Sequence, residues 1–277
     1  MPLKLLACQI LVPPMTRHGE KMAHVQRTAE RIDKIVSESP VDMVVLPELS
    51  NIDYSREAFS RLPELAEPVE GPTSDVFASL ARRHHVHVVF GMPRVENGAY
   101  YISQVVLGPN GEVKGYYDKI HVAQFGLSME KEFFTRGRHL LVFDVDGYRI
   151  APIICYDIRF PELIRTLCVD NGVELILHCG AYAQDESFYS WHHFSVTRAM
   201  ENMVHLLSVN RAGSNYGSSI FCPPWVDANH PEIVLPQEET FRVFSIDKDV
   251  LKHTRTTYPF LRDRLQSYGV LERRETS

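Results

Sequence analysis

Three residues of this 277-residue chain have the types and positions that acyl transfer needs. Glu48 closes the run Val44-Val45-Leu46-Pro47-Glu48, Lys119 follows Tyr116-Tyr117-Asp118, and Cys155 closes Pro152-Ile153-Ile154-Cys155. Each stands at the carboxyl end of an apolar stretch that reads as a strand, and α/β sheets gather their ligands at such ends. Taken singly, each has a bland reading. A Cys after Ile-Ile is more often a buried small hydrophobe, and a Glu or Lys at a strand end is more often a surface charge. Together they describe one reaction. A thiol with an ordinary pKa of about 8.5 is mostly protonated at neutral pH and needs a base or a cation. Glu48 could supply the base. Lys119 could depress the thiol pKa and stabilise an oxyanion, with the backbone N–H after the nucleophile, that of Tyr156, as second donor.

Such strand ends need a scaffold that brings them together, and the rest of the chain reads as one. Strands and helices alternate throughout, which favours α/β. Leu3 to Ile10 reads as strand, and His18 to Ser37 as a helix with Met22, Val25, Ala29, Ile32 and Val36 at helical spacing. Val41 to Leu46 is nearly all apolar and stops at Pro47, as a strand buried on both faces does. Thr73 to His84 reads as helix and Val86 to Met92 as another buried strand. Asn110-Gly111, between Tyr100–Leu107 and Glu112–Asp118, predicts a hairpin. Asp146-Gly147, between Leu140–Val145 and Tyr148–Ile154, predicts a second. Pro161 to Asp170 is a predicted helix with Pro161 and Glu162 suited to its first turn. Strand at Glu174 to Leu177, helix at Ser187 to Asn202 and strand at Val204 to Val209 follow. The Pro-rich stretch Pro223 to Pro236 reads as a long surface connection before a strand at Phe241 to Ile246. No repeat or Gly/Ser linker divides the chain, so residues 1–277 read as a single domain.

Composition removes several function classes. The 29 Lys+Arg against 35 Asp+Glu give a net charge of −6 and a pI near 6.1, with no basic block for a nucleic-acid backbone. No apolar run approaches the roughly 20 residues that span a bilayer. Leu3 to Val12 carries Lys4 and Gln9 and lacks a small-x-small cleavage site before Pro13-Pro14, so it does not read as a signal segment. Five widely spaced cysteines without C-x-x-C are the usage of a reducing cytoplasm, and that is the compartment expected. His84, His85 and His87 read as a solvated helix end. His178 and Cys179 point oppositely in a strand, and His192 and His193 face different sides of a helix, so no metal site is expected. No P-loop, G-x-G-x-x-G, H-E-x-x-H or G-x-S-x-G is present.

Leu46-Pro47-Glu48, Tyr117-Asp118-Lys119-Ile120-His121 and Cys155-Tyr156-Asp157-Ile158-Arg159-Phe160-Pro161-Glu162 resemble the three signature blocks of the nitrilase superfamily of carbon–nitrogen hydrolases. The similarity extends to Ala7-x-Gln9, Trp191-His192, Arg198 to Asn202, Asn210-Arg211-x-Gly213 and Arg255-x-x-x-Pro259, in family order over nearly the whole chain. The resemblance implies a four-layer αββα sandwich with Glu48 as general base, Lys119 as oxyanion stabiliser and Cys155 as nucleophile. A second family glutamate, in E-x-x-x-F-x-x-G, corresponds to Glu130 with Phe134 and Gly137 and would hold Lys119; Glu132 misses the spacing and reads as solvated. Arg159 and Glu162 read as a structural ion pair beside the Cys turn.

The chain departs from the family in two places. Pro223-Pro224-Trp225 lacks the glycine that closes a family loop. His178-Cys179-Gly180-Ala181-Tyr182 stands where many members have an apolar strand and a small-residue or Trp-containing loop. Tyr54, Tyr182 and His192 are the candidate pocket walls, with core packing an equal reading for the tyrosines. The expected reaction is hydrolysis of a small ω-amide or N-carbamoyl amine without cofactor, by a homodimer or higher homo-oligomer. Nitrile hydrolysis is the alternative, disfavoured by the absence of an insert after Lys119. A silent oligomeric binding protein is the rival from another class.

Overall fold

The computed structural model describes residues 2–274. In chain order the strands are β1 (Leu3–Gln9), β2 (Met43–Val45), β3 (His87–Glu96), β4 (Ala99–Leu107), β5 (Val113–Asp118), β6 (Phe143–Val145), β7 (Tyr148–Ile154), β8 (Leu175–Cys179), β9 (His205–Val209), β10 (Ile220–Cys222), β11 (Ile233–Val234) and β12 (Thr240–Ile246). The helices are α1 (His18–Glu38), α2 (Arg56–Phe59), α3 (Leu62–Leu65), α4 (Pro72–His84), α5 (Pro161–Arg165), α6 (Phe188–Asn202), α7 (Lys248–Thr257) and α8 (Phe260–Asp263).

Two six-stranded sheets result, ordered β12-β1-β2-β3-β4-β5 and β11-β10-β9-β8-β7-β6. β1, β2 and β3 run parallel in the first, and β7, β8 and β9 in the second. Each central strand buries both faces. On β1, Leu3, Leu5 and Ala7 enter the core between the sheets, while Leu6 and Cys8 pack against α1 and α4. On β8, Leu175, Leu177 and Cys179 face the other sheet while Ile176 meets the helical layer of α5 and α6. That period of two, apolar on both sides, is why these strands read as unbroken apolar runs. The architecture is the expected four-layer αββα sandwich.

Several elements differ from the sequence expectation. A third hairpin turns at Asn97-Gly98 between β3 and β4. The helix expected to reach Asp170 ends at Arg165 and widens into a π-type turn over Thr166–Asp170, closed by Asn171 N–H to the Thr166 carbonyl at 3.2 Å. β11 lies inside the Pro-rich stretch, where Trp225 stacks on Tyr258 at 3.7 Å. α7, which buries only Leu251 and Thr254, was not anticipated. Among the described residues no helix is long and apolar enough to cross a membrane, and no cluster of three or more His, Cys, Asp or Glu could hold a metal.

Candidate active site

Parallel strands put their carboxyl ends on one side, and the three candidate residues follow three such ends. Lys119 comes directly after β5 and Cys155 directly after β7; Glu48 lies three residues beyond β2, in a turn. Arg211 holds that turn. Its Nη2 donates to the carbonyls of Glu48, Leu49 and Ile52 at 3.3, 2.8 and 2.8 Å, and His24 Nε2 donates to Ser50 at 3.0 Å.

The Lys119 ammonium is fully buried between two carboxylates, 2.8 Å from Glu48 Oε1 and 2.6 Å from Glu130 Oε1. Glu130 is held in turn by Tyr54 Oη at 2.7 Å and by the Ala123 N–H, which donates to Oε2 at 2.7 Å. Because the single Tyr54 proton goes to the carboxylate, Ser128 donates to Tyr54 at 2.6 Å. The spacing around Glu130 has a packing basis. Phe134 meets Phe59 edge-on at 5.0 Å, and a Cβ on Gly137 would stand 2.1 Å from the Asp118 carbonyl. Glu48 Oε2 is buried without a hydrogen-bond partner among the described residues.

Cys155 opens a tight turn with φ of +44°, a left-handed conformation that non-glycine residues adopt only where surroundings enforce it. Asp157 supplies that enforcement. Its Oδ2 accepts from Ile154 N–H at 3.1 Å and Tyr117 Oη at 2.8 Å; its Oδ1 accepts from the His121 N–H at 3.0 Å. The carboxylate thus ties the Cys155 turn to β5 and to the residues just after Lys119.

Electrostatics revise one expectation. Burial pushes the Cys155 thiol well above its ordinary pKa, with Glu48 adding to the rise, and Lys119 offsets only part of it. The two carboxylates beside Lys119 already balance its charge, so it does not hold a free thiolate. Burial also raises Glu48, to about 7, against the pull of Lys119. Burial works to lower Lys119, but Glu130 and Glu48 outweigh it and the pKa rises well above the usual lysine value. The resting arrangement is a neutral thiol beside a carboxylate of raised basicity.

The carbon-nitrogen hydrolase family model matches residues 7–236. The chain belongs to that family. Among curated relatives, an omega-amidase of Xenopus laevis is 28% identical over 98% of each chain. A nitrilase of Pyrococcus abyssi is 31% identical over 76% of this chain and 78% of its own. The solved structure of Saccharomyces cerevisiae Nit3, a branch 10 member of the nitrilase superfamily, shares the fold with a TM-score of 0.81 at 24% identity, covering 98% of this chain and 97% of its own.

In this carbon–nitrogen hydrolase a cavity of about 360 Å³ opens onto Cys155, walled by Tyr54, Tyr182, Phe125, Tyr156 and Tyr216 among others. Tyr54 and Tyr182 line this cavity while both hydroxyls point to protein partners. His192 does not line the cavity. Its Nε2 donates to the Ser218 carbonyl at 2.7 Å, so it braces the loop before β10. Arg159 is the larger correction. Among the described residues no ion pair joins it to Glu162. An i, i+3 pair needs a continuous helix, and the chain leaves its tight turn at Phe160 before α5 begins. The guanidinium instead lies 5.0 Å from the Phe194 ring and 5.6 Å from the Phe125 ring, on the cavity wall. Its Nε and Nη2 are buried with no hydrogen-bond partner among the described residues. Nothing in the spacing of the Cys block distinguishes an arginine facing the cavity from one paired with its neighbour.

Proposed function

We propose that this hydrolase removes ammonia from the terminal amide of a small carboxylic acid, through a thioester on Cys155. The observation that carries the reading is Arg159, whose buried and partnerless Nε and Nη2 sit on the wall of the cavity that holds Cys155. Two buried guanidinium nitrogens without an acceptor are disfavoured until an anion supplies one. A planar fork of this kind matches a carboxylate in bidentate fashion. The omega-amidase among the relatives agrees with an amide at the other end of such an acid.

The steps follow from the groups present. As the Cys155 sulfur attacks the amide carbonyl, its proton passes to Glu48, whose free Oε2 and raised pKa suit it to accept one near neutral pH. The oxyanion that forms is met by the Lys119 ammonium and the Tyr156 N–H. Glu48 returns the proton to the leaving nitrogen, the C–N bond breaks and ammonia departs. Water then attacks the thioester, giving one proton to Glu48. The second oxyanion collapses, the acid leaves, and the sulfur recovers its proton from Glu48. Glu130 keeps Lys119 charged and in place throughout.

Ammonia release from matched substrates tests this reading. Monoamides of short dicarboxylic acids should be cleaved with kcat/KM at least about tenfold above their methyl-ester counterparts and above the matched nitriles, about 1.4 kcal/mol in the barrier. Arg159→Met should erase the preference for the free acid by raising KM. Equal use of acid and ester by the wild-type protein would overturn the assigned substrate class, and a faster nitrile would overturn the reaction type.

A further inference from the structure

Behind the nucleophile lies a buried chain of polar side chains that the reaction above does not use. Trp191 Nε1 donates to Ser208 Oγ at 2.9 Å, because an indole N–H can only donate. His178 Nε2 lies 3.0 Å from the Cys155 carbonyl, which can only accept, so Nε2 carries the ring proton. Burial holds His178 down to about 4, and the ring is neutral at pH 7. Its Nδ1 is therefore an acceptor, and Ser208 donates to it at 2.8 Å. With the ring neutral, every proton in the chain is assigned.

The same Cys155 carbonyl receives a second donor, Tyr182 Oη, at 2.7 Å. The Tyr182 ring stacks on Trp191 at 4.7 Å with 5° between the planes. The Tyr182 backbone is clamped by Asn210, whose Oδ1 accepts from the Tyr182 N–H at 2.8 Å and whose Nδ2 donates to its carbonyl at 3.0 Å. Gly180 leaves room for the ring, since a Cβ there would stand 2.7 Å from it. His178, Gly180 and Tyr182 all belong to the segment that departs from the family pattern.

The Cys155 carbonyl and the Tyr156 N–H are two ends of one planar, conjugated peptide unit. Donors on the oxygen draw density toward it and leave the N–H more positive, as in any polarised hydrogen-bond chain. We infer that His178 and Tyr182 are positioning residues for the oxyanion hole, gripping the Cys155 carbonyl so that the Tyr156 N–H is correctly aimed and a stronger donor. The inference rests on Cys155 attacking an amide but not on Arg159 or on the acid it would bind.

Tyr182→Phe and His178→Leu each delete one donor, and His178→Gln retains an N–H at the end of a side chain of similar reach. On whichever amide the wild type turns over fastest, Tyr182→Phe and His178→Leu should lower kcat about tenfold with KM within about twofold. That is less than the roughly 10²–10³ lost with an outright oxyanion donor. His178→Gln should recover most of the loss. The rate at which methyl methanethiosulfonate modifies Cys155 should stay at the wild-type value, because disulfide exchange forms no carbonyl oxyanion. Unchanged kcat in both deletions would overturn the inference. So would labelling that slows in step with kcat, since the two side chains would then act on the sulfur.

Discussion

Among the described residues two lysines are fully buried, and each faces glutamate. Lys21, on α1, donates to the Leu65 carbonyl at 2.7 Å and pairs with Glu67 Oε1, while Glu67 Oε2 accepts from the Thr73 N–H at 2.9 Å. Both oxygens of that carboxylate have partners. Lys119 faces two carboxylates, and one of their four oxygens, Glu48 Oε2, has none. Burial lowers Lys21, with Glu67 offsetting only part, whereas Glu130 and Glu48 carry Lys119 above its usual value. Burial of an ion pair thus does not identify chemistry, because both sites have it. An unmatched carboxylate oxygen on a group whose charge acts on Cys155 does, because a proton can be placed there.

Removing that oxygen's basicity is the strongest way to break the comparison. Glu48→Gln keeps the shape, leaves Lys119 paired with Glu130, and should lower kcat by about 10²–10⁴, the range for a lost general base. The unfolding midpoint should stay near that of the wild type. The pH profile of the wild type belongs to the same test. Glu48 must be ionised to accept the thiol proton, and its pKa is raised to about 7. Activity should therefore fall as pH drops below that value, approaching tenfold in kcat/KM per unit. A variant within tenfold of wild type, or a profile flat from pH 5 to 8, would show that Oε2 is not the base.

The mirror-image change is at Lys21. Lys21→Met leaves the Glu67 carboxylate buried without its cation, and breaking a buried pair on one side costs about 3–5 kcal/mol. Urea denaturation should show that loss, while kcat of the folded protein stays within about twofold. Lys21→Met with Glu67→Gln should recover much of the stability. If Lys21→Met instead lowered kcat as far as Glu48→Gln does, the distinction between a saturated and an unsaturated pair would fail.

How much of this was legible in the sequence depended on distance along the chain. Glu48, Lys119 and Cys155 stood out because each ends an apolar run, whereas Glu130 separated from Glu132 only through the family pattern, whose Phe134 and Gly137 the structure explains by packing. Runs apolar on both faces pointed to buried strands in an α/β fold, and the sandwich itself followed from the family resemblance. What stayed hidden needs contacts far apart in sequence. Arg211 reaches Glu48 across 163 positions, and Ser208 reaches His178 across 30. Arg159 was misread for a local reason: the chain leaves its tight turn at Phe160 before α5 begins, so Arg159 and Glu162 do not share a helix face. The Asn97-Gly98 hairpin carries the same Asn-Gly signal as the turn at Asn110-Gly111, but β3 continues four residues beyond its apolar run, through Pro93 and Arg94 to Glu96, before the turn begins.

A third kind of ion pair sharpens the comparison with the smallest expected effect. Glu132 lies two residues from Glu130 yet faces solvent, where Arg56 grips it with Nη1–Oε2 at 2.7 Å and Nη2–Oε1 at 2.9 Å. Side-chain exposures of 55% and 42% leave both groups hydrated, so water and salt screen an attraction that the buried pairs keep. The geometry is as good as any in the molecule, but its surroundings remove most of its weight. Glu132→Gln should leave kcat and KM for the amide within about twofold at low and high salt alike, because exposed pairs contribute little. Steady-state ammonia release beside Glu130→Gln makes the measurement, and Glu130→Gln should fall far more steeply because it strips Lys119 of a buried partner. Comparable losses in the two variants would mean that the Arg56–Glu132 pair holds the turn carrying Glu130, and that exposure is a poor guide to which carboxylate matters here.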